Sequence, residues 1–146
     1  MSQKTLARKV VFEALRVRQR AGLALTDPAS PIDIAEKLGL QVWFQRLASV
    51  EGMLIRAPHP MILLSSLRPA GRISFTCAHE LAHYLFNHDG HVDVVGSEPV
   101  LREDLDDESQ ANAFAASLLM PKTTVQFAFA QRNAQPESAD PLTILA

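Results

Sequence analysis

The pattern of apolar and polar positions divides the chain into helical and extended segments. Apolar residues recur at helical spacing in five stretches: residues 4–19, a short segment opened by Ser30-Pro31, Arg72 to about Asn87, the segment after Asp106 or Asp107, and Lys122–Arg132. Between the second and third helices, residues of high strand propensity predict three strands, at Gln41–Leu47, Met53–Ala57 and Met61–Ser65. The two breaks between these strands are too short for a parallel return, so the sequence predicts an antiparallel three-stranded meander. The expected fold class is α+β.

Capping residues mark the ends of the predicted helices. Ser30 and Pro31 are typical of the N-cap and first turn of a helix, and Gly39 is typical of the position just after one. Asp106 or Asp107 is expected to cap the fourth helix, where a carboxylate interacts favourably with the helix dipole. The fourth helix is expected to end at Pro121, because proline cannot continue it.

Length and composition indicate one globular domain over residues 1–146. The chain has 146 residues, of which 47% are apolar and 21% charged, so a wholly disordered chain is excluded. The expected organisation is an N-terminal helix and loop (1–29), a core (30–121), and a short C-terminal helix and tail (122–146). Asp140-Pro141 resembles a helix start with no helix behind it, which suggests a truncated C-terminus. No secretion signal is recognisable and Cys77 is the single cysteine, so we expect a cytoplasmic protein.

Charge is unevenly distributed along the chain. The net charge of −2 gives no general attraction to nucleic acid. Residues 1–20 are nevertheless basic and residues 98–108 acidic. We interpret the basic stretch as a solvated helix face, with contact to a partner or to nucleic acid as the alternative.

The strongest candidate for a functional site is an HExxH motif within a predicted helix, His79-Glu80-Leu81-Ala82-His83. Helical residues four apart lie on one face, so both imidazoles can converge on one metal ion. Glu80 is then placed to act on water as a general base, as in zinc-assisted hydrolysis. From the composition of this chain, about 0.009 such motifs are expected by chance, so the motif is specific.

A catalytic zinc ion usually has a third protein ligand, and the sequence offers several. Asp89 lies ten residues after His79, but Phe86 stands where the corresponding extended motif needs a glycine. His88 and His91 are expected on the loop that leaves the helix. Glu108 begins the next predicted helix and could reach the motif by helix packing, or could instead stabilise the helix N-terminus.

Two sequence segments, one containing the HExxH motif and the other beginning at Glu108, resemble the ImmA/IrrE family of bacterial metallo-endopeptidases. They are Arg72-x-x-Phe75-Thr76-x-Ala78-His79-Glu80-Leu81-Ala82-His83-Tyr84 and Glu108-x-x-Ala111-Asn112-x-Phe114-Ala115-Ala116-x-Leu118-Leu119-Met120-Pro121. The similarity spans roughly residues 30–121. Cys77 and Ala82 depart from the usual residues but are small enough for close helix packing. The helical region beyond the Leu-Met-Pro stretch is shorter than is usual in the family.

This resemblance implies a zincin-like domain in which the sheet packs against the HExxH helix and a following glutamate-bearing helix. It implies Zn²⁺ bound by His79, His83 and Glu108, with Glu80 as the catalytic base. It further implies a protein substrate, such as a helix-turn-helix repressor or antitoxin-like regulator. The alternative is a zinc-dependent sensor or protein-interaction module that cleaves nothing.

Several residues outside the candidate ligand set also have expected roles. Cys77 and the strand residues Trp43 and Phe44 are expected in the core. Asn112 is expected either to hold a metal ligand or to pack between helices. A second oxyanion donor is expected, with His91, Arg102 and Tyr84 as candidates, and Met61–Ser65 is proposed as an edge strand that aligns the substrate.

Overall fold

The computed structural model describes the backbone of residues 2–88, 92–94 and 102–134, and the side chains of these residues except 92–94 and 102–105. Within this part of the chain there are five helices and four strands. They are α1 (Gln3–Arg20), α2 (Pro31–Lys37), β1 (Gln41–Gln45), β2 (Val50–Ile55), β3 (Met61–Ser65), α3 (Ala70–Leu85), β4 (Val92–Val94), α4 (Arg102–Leu119) and α5 (Lys122–Asn133). The predicted Asp140-Pro141 helix start lies outside the described residues. None of the described helices is long and apolar enough to cross a membrane.

The sheet is mixed, so the predicted antiparallel meander is wrong. The strand order is β1-β3-β2-β4, with β1 and β3 parallel and the other pairs antiparallel. A parallel pair needs a long connection, and residues 46–60, which include β2, provide it. β3 therefore lies inside the sheet and not at its edge. The fourth strand, β4, has only three residues and was not predicted.

Strand β1 is an edge strand, and this explains a second difference from the prediction. Trp43 and Phe44 were expected in the core but are 54% and 47% exposed. Only one long side of β1 pairs with another described strand, β3, and α2 covers it in part. Aromatic residues are common on such half-covered strands, so their presence does not by itself indicate burial.

Helix α3 forms the centre of the molecule. Eight consecutive residues, Thr76 to His83, are buried, so this part of the helix is enclosed on all sides. The sheet covers one side through the alternating buried side chains Leu54, Ile62 and Leu64. Helix α4 covers another side and itself packs on α1. The buried aliphatic core therefore surrounds the polar residues of the HExxH motif.

A buried arginine joins α1 to α4. Arg18 is 1% exposed, although it belongs to the basic stretch interpreted as a solvated face. Its guanidinium donates to the carbonyl oxygens of Leu118 at 2.7 Å and of Ala24 at 2.8 Å. It also donates to the backbone oxygens of Leu25 and Asp27. These bonds satisfy carbonyls near the C-terminus of α4 and in the loop after α1, which fixes the two helices to each other.

Helices α2 and α3 end in the same motif. Gly39 ends α2, as the sequence predicted, with a φ of 92°, and the Leu40 N–H donates to the Ala35 carbonyl. After α3, the left-handed position is taken by Asn87, with a φ of 55°. Asparagine adopts this conformation more readily than most other residues that carry a side chain. The chain therefore reverses sharply right after the HExxH helix.

Candidate metal centre

The structure brings His79, His83 and Glu108 together. The Nε2 atoms of the two histidines are 3.0 Å apart. Glu108 Oε2 lies 3.0 Å from His79 Nε2, and Glu108 Oε1 lies 3.0 Å from His83 Nε2. Among the described residues, these three form a group whose ligand atoms all lie within 4.8 Å of one another. The sequence-predicted ligand candidates therefore converge from two helices.

Helix packing explains the convergence. His79 and His83 are one turn apart on α3, and Glu108 approaches from α4 across the α3–α4 contact. The apolar face of α4 is buried in that contact, through Ala111, Phe114, Ala115 and Leu118. The expectation that Asp106 or Asp107 caps α4 is wrong, because the helix already begins at Arg102. Glu108 thus lies in the second turn, and its carboxylate faces α3.

The donor set fits a divalent cation. Two imidazole nitrogens and one carboxylate oxygen are a common three-ligand set for catalytic zinc, with bonds of about 2.0–2.1 Å. Such bonds in a tetrahedral site place neighbouring ligand atoms about 3.3 Å apart. The observed 3.0 Å contacts are close to this spacing. The three residues could therefore bind one metal ion with only a small adjustment of their side chains.

Comparison with known proteins agrees with this geometry. The family model for peptidase M78, described as the IrrE N-terminal-like domain, matches residues 35–138. The chain belongs to this family. The resemblance to the ImmA/IrrE family is thereby confirmed. A comparison with curated protein sequences gives no significant match.

In this M78 chain, the carboxylate of Glu108 is held in its charged form. Partial burial by itself raises the pKa of Glu108, but hydrogen bonds from His79 and His83 and their nearby charge lower it by more. The net result is a pKa well below the usual range of a glutamate. A carboxylate that stays ionised and faces two imidazoles is suited to binding a cation.

Glu80 and Asn112 are the two further site candidates that adjoin His79, the first in sequence and the second by a side-chain contact. Glu80 follows His79 on α3 and is fully buried. Asn112 lies one turn after Glu108 on α4, and its Oδ1 is 2.9 Å from His79 Nδ1. If His79 Nδ1–H donates this hydrogen bond, the lone pair of Nε2 faces Glu108 and His83. This contact agrees with the first of the two interpretations of Asn112, and the binding of a metal by His79 stays a prediction.

The remaining candidates are placed elsewhere or are not described. Asp89 and His91 lie outside the described residues, as does the side chain of Arg102. Tyr84 is half-buried against the core, and the Arg56 guanidinium lies 5.9 Å from its ring centre. His88 is buried, with its Nδ1 3.0 Å from His83 Nδ1, on the side of the ring opposite Glu108. His88 lies beyond the end of α3, on the segment that leaves the helix, as predicted. Its return onto His83 was not predicted, and Asn87, a residue typical of helix ends, is the signal that could have indicated it.

Proposed function

We propose that this protein is a zinc-dependent metallo-endopeptidase. His79, His83 and Glu108 are the proposed zinc ligands, and Glu80 is the proposed general base. The observation that carries the proposal is the convergence of three ligand-type side chains from α3 and α4 at 3.0 Å contacts. Membership of a peptidase family supports the same reaction class.

The chain's own residues have distinct tasks in this mechanism. A zinc ion held here would act as a Lewis acid, polarising the scissile carbonyl and acidifying water. Glu80 accepts the proton of the attacking water and later returns it to the leaving amine. Burial shields the Glu80 carboxylate from bulk water, which would otherwise compete for the same proton. Asn112 orients His79 through the 2.9 Å contact to Nδ1.

The proposed substrate is a protein. The family supports peptide-bond hydrolysis, and the resemblance to ImmA/IrrE proteins favours a cytoplasmic helix-turn-helix repressor or antitoxin-like regulator as the partner. The product of a neighbouring reading frame is the first partner to test. Zinc is proposed as the native metal because the His, His and Glu donors suit it.

Glu80→Gln separates catalysis from metal binding. Glutamine keeps the size of the side chain but cannot accept the proton, so we expect cleavage to fall by about 10²–10⁴-fold while one zinc ion stays bound. Metal content is measured by elemental analysis, and cleavage by mass spectrometry after co-expression with the partner. Glu13→Gln on α1, where Glu13 pairs with Arg16 and not with a site residue, is the matched control and should cleave at the wild-type rate.

Two results would overturn the proposal. Cleavage by Glu80→Gln at the wild-type rate would exclude Glu80 as the base. A wild-type protein that binds its partner in a zinc-dependent way, but leaves it intact, would instead be the non-proteolytic sensor.

A further inference from the structure

The end of α3 places a third histidine against the candidate metal centre. The Asn87 N–H donates to the Tyr84 carbonyl at 3.3 Å, and the His88 N–H donates to the His83 carbonyl at 3.0 Å. This pair of bonds is the Schellman pattern, in which the second residue beyond the helix cap folds back over the last turn. Here that returning residue is His88, and the residue it folds back onto is His83. The contact is therefore built into the backbone of the helix terminus.

Side chains from other elements hold this arrangement. The Arg56 guanidinium, from the residue after β2, donates to the carbonyl oxygens of His83 at 2.8 Å and His88 at 2.6 Å. The Phe86 ring stacks on the His88 ring with centroids 5.7 Å apart. His88 is only 8% exposed, so its ring lies in a confined position. The position of His88 is thus fixed by Arg56, by Phe86 and by its own backbone.

The ring nitrogens of His88 continue a line of polar contacts that starts at His83. His88 Nδ1 is 3.0 Å from His83 Nδ1, and His88 Nε2 is 3.3 Å from Asp107 Oδ1. Gln110 Oε1 lies 3.4 Å from the same Nε2 atom. If His83 Nε2 binds a cation, its proton is on Nδ1 and must be donated to His88 Nδ1. His88 then carries its own proton on Nε2 and donates it to α4.

We propose that His88 is a positioning residue for the zinc ligand His83, resting on the zinc site of the proposed function. By accepting the Nδ1 proton of His83, it holds the ligand ring in the orientation and tautomer that leave Nε2 open to the metal. Asp107 fixes His88 in turn. His79 is held by the side-chain amide of Asn112. The two proposed ligand histidines are therefore oriented by different groups, His79 by an amide and His83 by an imidazole. His88 does not touch the metal, the substrate or the reacting atoms.

The test compares zinc affinity among variants of the full chain, measured by competition with a chromophoric chelator. His88→Phe keeps a flat ring but leaves the His83 Nδ1–H without its acceptor, so we expect zinc affinity to fall about 10–100-fold. His88→Asn restores an acceptor, because asparagine Oδ1 occupies nearly the position of histidine Nδ1, and should recover most of the affinity. A residue needed only for packing would give the opposite ranking. His59→Phe, at an exposed position, is the matched control and should bind zinc like the wild type.

A second comparison does not depend on changing the buried ring. Asp107→Asn should weaken zinc binding severalfold in the wild-type background and have no further effect in His88→Phe. Asp106→Asn, the exposed neighbour, should leave affinity unchanged. If His88→Phe fails to fold, which circular dichroism would reveal, the comparison of zinc affinity between Asp107→Asn and Asp106→Asn tests the proposal by itself.

The possible failures are distinguishable. Wild-type zinc affinity in both His88→Phe and Asp107→Asn would overturn the role of His88 while leaving the proposed function intact. A loss in His88→Asn as large as in His88→Phe would also overturn it, because the acceptor would then be irrelevant. A wild-type protein that binds no zinc would refute the proposed function itself.

Discussion

The thiol of Cys77 lies two residues before His79, yet its surroundings make it chemically inert. Cys77 is completely buried. Burial, and then the charges of Glu80 and Glu36, raise its pKa to about 12. Since the thiolate is the form that binds metal and attacks electrophiles, a thiol that stays protonated does neither. Cys77 therefore fills space in the core of α3, as its position in the sequence predicted.

This raised pKa predicts an alkaline loss of stability that Cys77→Ala removes. Above pH 9 the unfolded thiol releases its proton while the folded one keeps it, so unfolding is favoured as pH rises. The free energy of unfolding of the wild type, relative to Cys77→Ala, should fall by about 1 kcal/mol between pH 8 and pH 10. Urea denaturation at several pH values measures this difference. A difference that is constant with pH would show that the folded thiol titrates normally.

The sequence indicates two of the three candidate metal ligands through local periodicity. His79 and His83 are predictable because helical periodicity alone puts them on one face. Glu108 needs the packing of α3 on α4, so from the residues alone it stayed one of several choices. The contact of His88 with His83 was missed because it depends on the left-handed conformation of Asn87, which the sequence allows but does not require.

At the scale of secondary structure, the helices were predicted better than the pairing of the strands. The observed bounds of α1, α2, α3 and α5 differ from the predicted ones by about two residues or fewer, since periodicity and capping are local signals. Which strands become neighbours is decided by tertiary packing. The short connections β1–β2 and β2–β3 are compatible with β3 inserted between β1 and β2, and connection length cannot distinguish this order from a meander.

Strand β2 lies very close to α3 at Gly52. A Cβ atom at this position would lie 2.7 Å from Thr76 Cγ2 and 3.1 Å from the Leu63 carbonyl oxygen. Gly52→Ala should therefore push β2 away from α3 and lower the free energy of unfolding by about 1–3 kcal/mol. Gly71→Ala is the matched control, because nothing lies within 4 Å of its added Cβ and it sits in the first turn of α3.

Thermal denaturation of both variants measures this prediction. Gly71→Ala should be neutral or stabilising by up to about 1 kcal/mol, since alanine is the better helix former. Equal stability of Gly52→Ala and the wild type would mean that β2 and α3 can separate at little energetic cost.

At the scale of the whole molecule, the candidate metal centre joins two helices that are packed against different parts of the core. Two of its residues are on α3, which the sheet supports, and the third is on α4, which α1 and Arg18 support. A metal ion bound there would connect both parts of the core. An ion that binds the folded chain and not the unfolded one stabilises folding in proportion to the logarithm of its concentration.

Removing the metal should therefore lower global stability, and the size of the effect should depend on Glu108. With free zinc at about 100 times its dissociation constant, the free energy of unfolding should be about 2.7 kcal/mol higher than in the chelator-treated protein. Glu108→Ala deletes the only ligand that α4 contributes among the described residues, so the zinc-dependent gain should largely disappear in that variant. Glu13→Ala, on α1 and outside the group of candidate ligands, should keep the full gain. Calorimetry with and without zinc measures all three proteins. Equal zinc-dependent gains in Glu108→Ala and the wild type would mean that Glu108 is not a ligand of the ion.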